Sequence, residues 1–185
     1  FAPTETSKIN LLKENVAEGR DILILSDRRE HLKTIYEHVT ESGMGTIGYY
    51  VGGMKPADLR ETTTKQIILG TFSMAAEGMD IPKLNTIILA SPKSDIIQSV
   101  GRILRQKPED RKHIPKIIDI CDDFSAFSKQ ALKRQAYYKK CKYSIQIIRT
   151  DGEVENVEYK KKGKKKAPIV IDFSKTDEYL IDDDD

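Results

Sequence analysis

Two arginines and a glutamine lie in the short segment QSVGRILR at positions 98–105. On a helix with about 100° per residue, Gln98, Arg102 and Arg105 project from one narrow stripe. A guanidinium is always charged and binds two phosphate oxygens at once, so two of them aimed at one point predict stabilisation of a triphosphate during phosphoryl transfer. The alternative is a surface helix that carries two solvated arginines.

The residues around these polar side chains predict how the stripe is held. Ser94 is expected to cap a helix over residues 94–105, and Gly101 removes bulk beside the stripe at some cost in helix propensity. The opposite side is an apolar arc that would dock the helix on a core, formed by Ile96, Ile97, Val100, Ile103 and Leu104. Both arginines would then face outward.

The segment GTFSMAAEGMDIP at positions 70–82 carries a second set of polar residues. The Thr71 hydroxyl and the amides of a following helical turn are suited to hold a backbone phosphate. Gly78 permits a turn that most residues resist, and Asp80 is placed to accept hydrogen bonds from a ribose or an arginine. The alternative is an ordinary connection between a strand and a helix, in which Thr71 is a cap and Gly78 a turn residue.

Short apolar runs alternate with helical patterns along the first 150 residues. They predict strands over residues 21–26, 46–51, 66–69, 85–90, 116–120 and 143–149, and helices over residues 28–41, 56–63, 72–76, 94–105 and 124–141. Because runs such as ILIL are typical of buried strands, we predict an α/β fold, a mainly parallel sheet with helices on both faces. Ligands bind at the carboxyl ends of such strands, which here lead into the loops 26–28, 52–53, 70–71, 91–93 and 121–123.

The composition changes near residue 150, which predicts a domain over residues 1–150 and a charged, flexible C-terminal extension over residues 151–185. The extension contains the run KKKGKKK at positions 160–166 and ends on four aspartates. Its apolar stretch, residues 169–173, is predicted to add an edge strand to this or another domain, or to bind a partner; the alternative is a mobile tail. The net charge of +2 therefore hides basic surfaces that suit nucleic acid.

The predicted helix over residues 124–141 has a structural and a functional interpretation. In the structural one, it packs four side chains on the sheet: Phe124, Phe127, Leu132 and Ala136. In the functional one, its lysines follow a nucleic-acid backbone while Tyr137 and Tyr138 stack on bases. We favour the structural interpretation for the tyrosines and backbone contact for some of the lysines.

Several classes of protein do not fit this sequence. No apolar run approaches the roughly 20 residues that span a bilayer, and the first residues lack a signal-peptide pattern. Cys121 and Cys141 are the two cysteines, which is typical of a reducing compartment. The three histidines are scattered and predict no metal site. The chain begins with Phe1 rather than methionine, so we expect a fragment of a longer protein.

These segments occur in the order of four helicase motifs. SDRREHL follows the strand ILIL, YYVGGMK ends the next strand, and GTFSMAAEGMDIP precedes TIILASPKSDIIQSVGRILR. Over residues 20–125 they resemble motif IV, the next nucleic-acid-contacting loop, motif V and motif VI of superfamily 2 helicases. The resemblance implies the second, C-terminal RecA-like domain of such an enzyme. The wording of the motifs is most similar to helicases of large DNA viruses and phages, and that group is similar to the poxvirus-type DNA helicases of transcript release.

The resemblance also implies roles for individual residues. Arg102 and Arg105 match the two arginine fingers of motif VI, and Gln98 matches the glutamine before them, where DEAD-box proteins have a histidine. Gly78 and Asp80 match the motif V residues that couple nucleotide to nucleic acid. The implied nucleic-acid-binding positions are Ser26, Arg28, Gly53, Thr71 and Lys93.

The implied cofactors are ATP and Mg²⁺, held mainly by a first RecA-like domain, because these 185 residues contain no GxxxxGK[ST] phosphate-binding loop. The implied partners are that first domain and nucleic acid, with DNA favoured over RNA and no membrane. We therefore expect a cytoplasmic ATP-dependent helicase or translocase, in a virus factory or virion for a viral protein, and an inactive isolated fragment. One alternative is a non-enzymatic module that binds nucleic acid or a protein partner. The other is a small-nucleotide-binding α/β protein, and the missing glycine-rich loop argues against that one.

Overall fold

The computed structural model describes residues 5–121, 125–148, 153–157 and 169–173. The helices in these ranges are α1 (Glu5–Ala17), α2 (Arg29–Ser42), α3 (Pro56–Thr62), α4 (Phe72–Ala76), α5 (Ile97–Arg102) and α6 (Ser125–Lys140), with a 3₁₀ turn at Pro108–Asp110. The strands are β1 (Ile22–Leu25), β2 (Ile47–Tyr50), β3 (Ile67–Gly70), β4 (Thr86–Leu89), β5 (Lys116–Ile120), β6 (Ser144–Ile148), β7 (Val154–Val157) and β8 (Ile169–Phe173).

These strands form one sheet in the order β2-β3-β1-β4-β5-β8-β6-β7. Every neighbouring pair is parallel except β6 and β7. At the centre, Ile24 of β1 pairs with Leu69 of β3 and with Ile88 of β4. The parallel arrangement brings the carboxyl ends of these strands to one edge of the sheet. The predicted α/β fold with a mainly parallel sheet is confirmed.

Hydrophobic residues are buried on both faces of the sheet, because alternate side chains of a strand point to opposite sides. One face packs Leu23 and Leu25 of β1 against α4, α5 and α6, through residues such as Val100. The other face packs Ile22 and Ile24 against α1 and α2. The prediction of helices on both faces is therefore correct.

Helix α1 is absent from the sequence prediction. It carries little periodic apolar signal: Leu12 is buried, and the polar Asn15 is only 1% exposed. Lys116 Nζ on β5 donates to the Asn15 side-chain oxygen over 2.9 Å. The polar contact therefore adds to the packing of Leu12 on the sheet, and hydrophobic periodicity alone does not reveal the helix.

Two segments beyond residue 150 join the sheet. β8 pairs with β5 on one side and with β6 on the other, where Ile171 lies opposite Ile118 and Gln146. The predicted position of residues 169–173 at an edge is therefore wrong, and β7 forms the edge instead. The domain boundary at residue 150 stays a prediction, and the lysine run at 160–166 lies outside the described residues.

The packing of α6 also differs from the prediction. Ala136 is exposed and Leu132 only half-buried, whereas Arg134 is 2% and Tyr138 0% exposed. Arg134 is buried because it binds the buried carboxylate of Asp119 on β5. The structural interpretation of Tyr138 is correct, and Phe124 lies outside the described residues.

In the part of the chain that the structure describes, no helix is both long enough and apolar enough to cross a bilayer.

Candidate functional site

The loops after β1, β3 and β4 are joined by backbone hydrogen bonds at the carboxyl edge of the sheet. The Ser26 amide donates to the Gly70 carbonyl over 3.1 Å, and the Ala90 amide donates to the Leu25 carbonyl over 2.9 Å. The Asp27 amide donates to the hydroxyl of Ser91 over 3.0 Å. These contacts bring together loops that are far apart in the sequence.

Lys93 connects three of these segments through its side chain. Its Nζ lies 3.1 Å from the Asp27 carboxylate and 5.5 Å from the centre of the Phe72 ring, within cation–π distance. The side chain remains 40% exposed. Lys93 is thus held at the edge of the sheet with its charge accessible to solvent.

The predicted nucleic-acid-binding residues after β1 and β2 differ in exposure. Ser26 is completely buried, and its hydroxyl accepts from the Arg28 amide over 3.1 Å, so its side chain organises the loop rather than facing solvent. Arg28 is exposed. Gly53 has a φ of +87° and an open surface, where an added Cβ would meet no atom within 4 Å. Arg29 donates to the Gly52 carbonyl over 3.2 Å and links the two loops.

Thr71 is the N-cap of α4. Its hydroxyl accepts from the Met74 amide over 3.4 Å and lies 3.1 Å from the Ser73 hydroxyl. Both hydroxyls are at least partly accessible to solvent. The helix has the predicted bounds, Phe72–Ala76, because Thr71 caps it and Glu77-Gly78 follow it.

Gly78 and Asp80 follow α4 in an exposed turn. Gly78 has a φ of +133°, which residues with a side chain rarely adopt. The turn lets the chain reach Asp80, whose carboxylate accepts a hydrogen bond from Arg105 Nη1. Asp80 is 68% and Arg105 41% exposed in this ion pair.

Arg102 does not face outward as predicted. It is only 8% exposed, and it donates from Nε to the Ala75 carbonyl over 2.7 Å and from Nη2 to the Ala76 carbonyl over 2.8 Å. The last carbonyls of a helix lack hydrogen-bond donors within that helix, and the Arg102 guanidinium provides donors to two of those of α4. The predicted exposed stripe is therefore wrong at Arg102.

The helix that carries Arg102 is also shorter than predicted. α5 begins at Ile97, whose amide donates to the Asp95 carboxylate over 3.3 Å, so Ser94 is not its cap. Ile97 is 56% exposed, although the predicted apolar arc buried it. Gln98 is exposed on α5, and Arg105 lies three residues beyond the helix end.

The two arginines influence each other electrostatically. Burial lowers the pKa of Arg102, the positive charge of Arg105 lowers it further, and the Asp80 carboxylate opposes both effects. An arginine stays protonated in spite of such shifts. Two guanidiniums in mutual repulsion beside an exposed surface are an arrangement that a polyanion would stabilise.

A buried ionic cluster behind the Lys93 loop was missed by sequence reasoning. Arg134 binds both carboxylate oxygens of Asp119 over 2.8 Å, and the Tyr138 hydroxyl donates to Asp119 Oδ2 over 2.8 Å. Arg134 Nη1 donates to the Lys93 carbonyl over 2.8 Å. The signal in the sequence is Asp119 itself, an acid inside the otherwise apolar end of the strand KIIDI.

The cluster perturbs the ionisation of its members. Burial alone would lower the pKa of Arg134, but the charge and hydrogen bonds of Asp119 together outweigh it and raise that pKa. Burial, and then the Asp119 carboxylate, raise the pKa of Tyr138 well above its usual value. Arg134 therefore keeps its charge in the salt bridge with Asp119, and Tyr138 stays neutral.

Across residues 5–121, 125–148, 153–157 and 169–173, no group of three or more histidine, cysteine, aspartate or glutamate side chains is arranged to hold a metal ion.

The family model described as the helicase conserved C-terminal domain matches residues 7–107, more than half of the chain. The chain belongs to this helicase C-terminal domain family. The match includes the loops after β1 to β4 and all of α5. The family predicted from the sequence motifs is confirmed.

Viral proteins are among the relatives of this helicase C-terminal domain. It is 45% identical over 139 residues to a protein of Acanthamoeba polyphaga mimivirus whose name describes an ATP-dependent RNA helicase, over 74% of this chain and 26% of that protein. It is 28% identical over 135 residues to a similarly named protein of African swine fever virus, over 69% of this chain and 26% of that protein. The chain spans about a quarter of the length of these relatives.

Solved structures share the fold of this helicase C-terminal domain. The C-terminal domain of the DEAD-box protein Dbp5 has a TM-score of 0.56 at 16% identity, covering 75% of this chain and 82% of that one. The C-terminal part of the Fun30 ATPase domain has a TM-score of 0.56 at 14% identity, covering 68% and 44%. The predicted RecA-like fold is confirmed, while the roles of individual site residues stay predictions.

Proposed function

We propose that this helicase C-terminal domain is the second half of an ATP-dependent motor that moves along nucleic acid. Arg105 and Gln98 would face the phosphates of ATP bound mainly by a first RecA-like domain, and the buried Arg102 would add its positive charge to the same site. Loops at the carboxyl edge of the sheet would hold the nucleic-acid backbone. Closure of the two domains around ATP would then be coupled to movement along the strand.

The observation that carries the proposal is the close association of Arg102, Arg105 and Asp80 at the end of α4. Arg105 is exposed and is held by the carboxylate of Asp80, so its guanidinium is accessible to an incoming phosphate. These 185 residues contain no glycine-rich phosphate loop of their own. Arginines without such a loop fit a site completed by another domain, because guanidiniums stabilise the charge that develops on a transferred phosphoryl group.

ATP supplies the phosphoryl group, and Mg²⁺ would be held with it mainly by the first domain. This domain's own contribution fits that division, because two guanidiniums and the Gln98 amide are donors suited to phosphate oxygens rather than to a metal ion.

Backbone contacts with nucleic acid would come from Arg28, Gly53, Thr71 and Lys93. Arg28 and Lys93 offer charge, Gly53 offers an open backbone surface, and Thr71 offers a hydroxyl beside a helix N-terminus. Ser26 would act from beneath, by shaping the loop of Arg28. Such contacts position a strand without reading its sequence.

DNA is the substrate favoured by the resemblance of the motifs to viral DNA helicases. The viral relatives carry names of RNA helicases, so the experiment must include both nucleic acids. For the parent protein we propose a cytoplasmic location in a reducing compartment. For a viral protein, that location is a virus factory, or the protein is carried in the virion.

The test is the nucleic-acid-stimulated ATPase of the parent protein with Arg105→Ala. We expect kcat to fall by about 10³-fold or more, as for loss of an arginine finger, while the affinity for single-stranded DNA or RNA is retained. Arg60→Ala is the matched control, since Arg60 is an exposed arginine in the last turn of α3. Near-normal ATPase with Arg105→Ala would refute the assignment.

A non-enzymatic binding module on the same fold is the alternative. It is favoured by the internal engagement of both arginines, Arg102 with carbonyls and Arg105 with Asp80. A parent protein that binds nucleic acid but shows no ATPase under any stimulation would support the module. Stimulated ATPase that depends on Arg105 would exclude it.

A further inference from the structure

Arg134 joins two parts of the molecule that have different tasks. Two of its nitrogens bind the Asp119 carboxylate, and its Nη1 donates to the Lys93 carbonyl over 2.8 Å. Arg134 is 2% exposed and Asp119 is fully buried. One rigid, planar guanidinium is therefore fixed to the core at one end and to the backbone of a surface loop at the other.

The loop that Arg134 holds is the one that presents Lys93. On its outer side, Lys93 Nζ lies 3.1 Å from the Asp27 carboxylate, and the Ser91 hydroxyl accepts from the Asp27 amide over 3.0 Å. The loop is thus held from inside by Arg134 and from outside by the neighbouring loop. Its orientation decides where the ammonium of Lys93 stands.

A buried ion pair alone does not require this arrangement. Such pairs contribute little net stability compared with apolar residues of similar volume, and the Tyr138 hydroxyl also donates to Asp119. The contact to the Lys93 carbonyl needs the fork of a guanidinium, since a lysine at this position offers only one nitrogen.

We propose that Arg134 is a positioning residue for nucleic-acid binding, which orients the Lys93 loop so that the Lys93 ammonium meets a backbone phosphate. This inference rests on the proposed function of Lys93. Arg134 itself touches no nucleic acid, because it is buried beneath the loop.

The experiment measures the affinity of the parent protein for single-stranded DNA and RNA at several salt concentrations. Lys93→Ala should weaken binding to all sequences and reduce the slope of log affinity against log salt by about one, the effect of one lost phosphate contact. Arg134→Lys should reproduce that smaller slope, although Lys93 is still present. The double variant that combines Lys93→Ala with Arg134→Lys should show no further reduction of the salt slope, because both changes remove the same phosphate contact.

Two further variants separate positioning from folding. Tyr138→Phe removes a hydrogen bond to the same carboxylate but leaves the Lys93 loop attached, so its salt slope should equal that of the unchanged protein. If Arg134→Lys fails to fold, the combined variant Asp119→Leu, Arg134→Met and Tyr138→Phe removes the buried charges together. It should show the reduced slope of Lys93→Ala.

The outcomes are distinct. A reduced slope with Lys93→Ala but a normal one with Arg134→Lys and the combined variant would overturn the inference and leave the function of Lys93 intact. No change with Lys93→Ala would overturn both. A reduced slope with Tyr138→Phe would show that the cluster acts through general stability, and would also overturn the positioning role.

Discussion

Arg102 Nε and the Ala75 carbonyl oxygen, 27 residues apart in the sequence, are joined by a hydrogen bond of 2.7 Å. The bond fixes the C-terminal end of α4 to the last residue of α5. α4 is about 7.5 Å long, at 1.5 Å per residue, and its other end is Thr71. Thr71, which is proposed to contact nucleic acid, and Arg102, which is proposed to act on ATP, therefore belong to one rigid unit.

Arg102→Ala should lower both stability and activity. Loss of a charged donor leaves the Ala75 and Ala76 carbonyls without their partner, which we expect to reduce the free energy of unfolding by about 1.5–3 kcal/mol. In the parent protein, kcat of the stimulated ATPase should fall by about 10³-fold or more. Urea unfolding and steady-state kinetics measure the two effects.

Arg20→Ala is the control for stability. Arg20 is also buried, and it donates to the Ile114 carbonyl over 3.0 Å and to the Thr86 hydroxyl over 3.3 Å. Arg20 precedes the amino end of β1, away from the loops at the carboxyl ends of the strands. Arg20→Ala should therefore lose comparable stability and keep kcat. Equal losses of kcat in the two variants would indicate that Arg102 is only a structural residue.

Most of the sheet is predictable from the sequence because its central strands are continuous apolar runs. Ile22–Leu25, Ile67–Gly70 and Thr86–Leu89 are buried at every position, so each run matches a strand within one or two residues. The position of β8 differs from the expected edge because the sequence does not say which strands are neighbours. Its position between β5 and β6 depends on pairing across many residues.

One contact of the candidate site was predictable from the sequence, but the orientation of Arg102 was not. Asp80 is predicted to accept hydrogen bonds from a ribose or an arginine, and the Arg105–Asp80 pair agrees with that expectation. Helical periodicity cannot reveal that Arg102 binds carbonyls of α4, or that α5 ends before Arg105. Tertiary hydrogen bonds decide both.

Gly78→Ala and Gly101→Ala should change stability in opposite directions. Neither added methyl group meets an atom within 4 Å, so packing does not distinguish them. Gly78 has a φ of +133°, and the strained backbone of alanine there should cost about 1–3 kcal/mol. Gly101 is an exposed residue inside α5, and alanine should stabilise that helix by about 0.5–1 kcal/mol. Urea unfolding of both variants measures the difference, and destabilisation by Gly101→Ala would contradict it.

The three tyrosines around the end of α6 should make the fold sensitive to alkali. Burial raises the pKa of Tyr137, Tyr138 and Tyr143. The folded state therefore keeps protons that the unfolded chain loses near pH 10. Their contribution to stability is fully present below about pH 10 and is lost as the pH rises above it.

Tyr138→Phe tests this pH dependence. It removes the hydrogen bond to Asp119 and should lower the free energy of unfolding by about 1–3 kcal/mol at neutral pH. Above pH 10 its stability should fall less steeply than that of the unchanged protein, because one ionising group is gone. Urea unfolding between pH 8 and pH 11 measures both slopes, and parallel curves would contradict the expectation.

Thr71→Ala separates the cap from the proposed phosphate contact. Loss of the hydroxyl that accepts from the Met74 amide should cost about 1 kcal/mol of stability, and Thr71→Ser should restore it. Binding of nucleic acid should weaken with alanine and recover with serine.

The salt slope of Thr71→Ala should not change, since a hydroxyl releases no counterion. Ser73→Ala is the control for removal of a neighbouring exposed hydroxyl. If Thr71→Ala loses stability and binds nucleic acid normally, Thr71 is a helix cap without a role in binding.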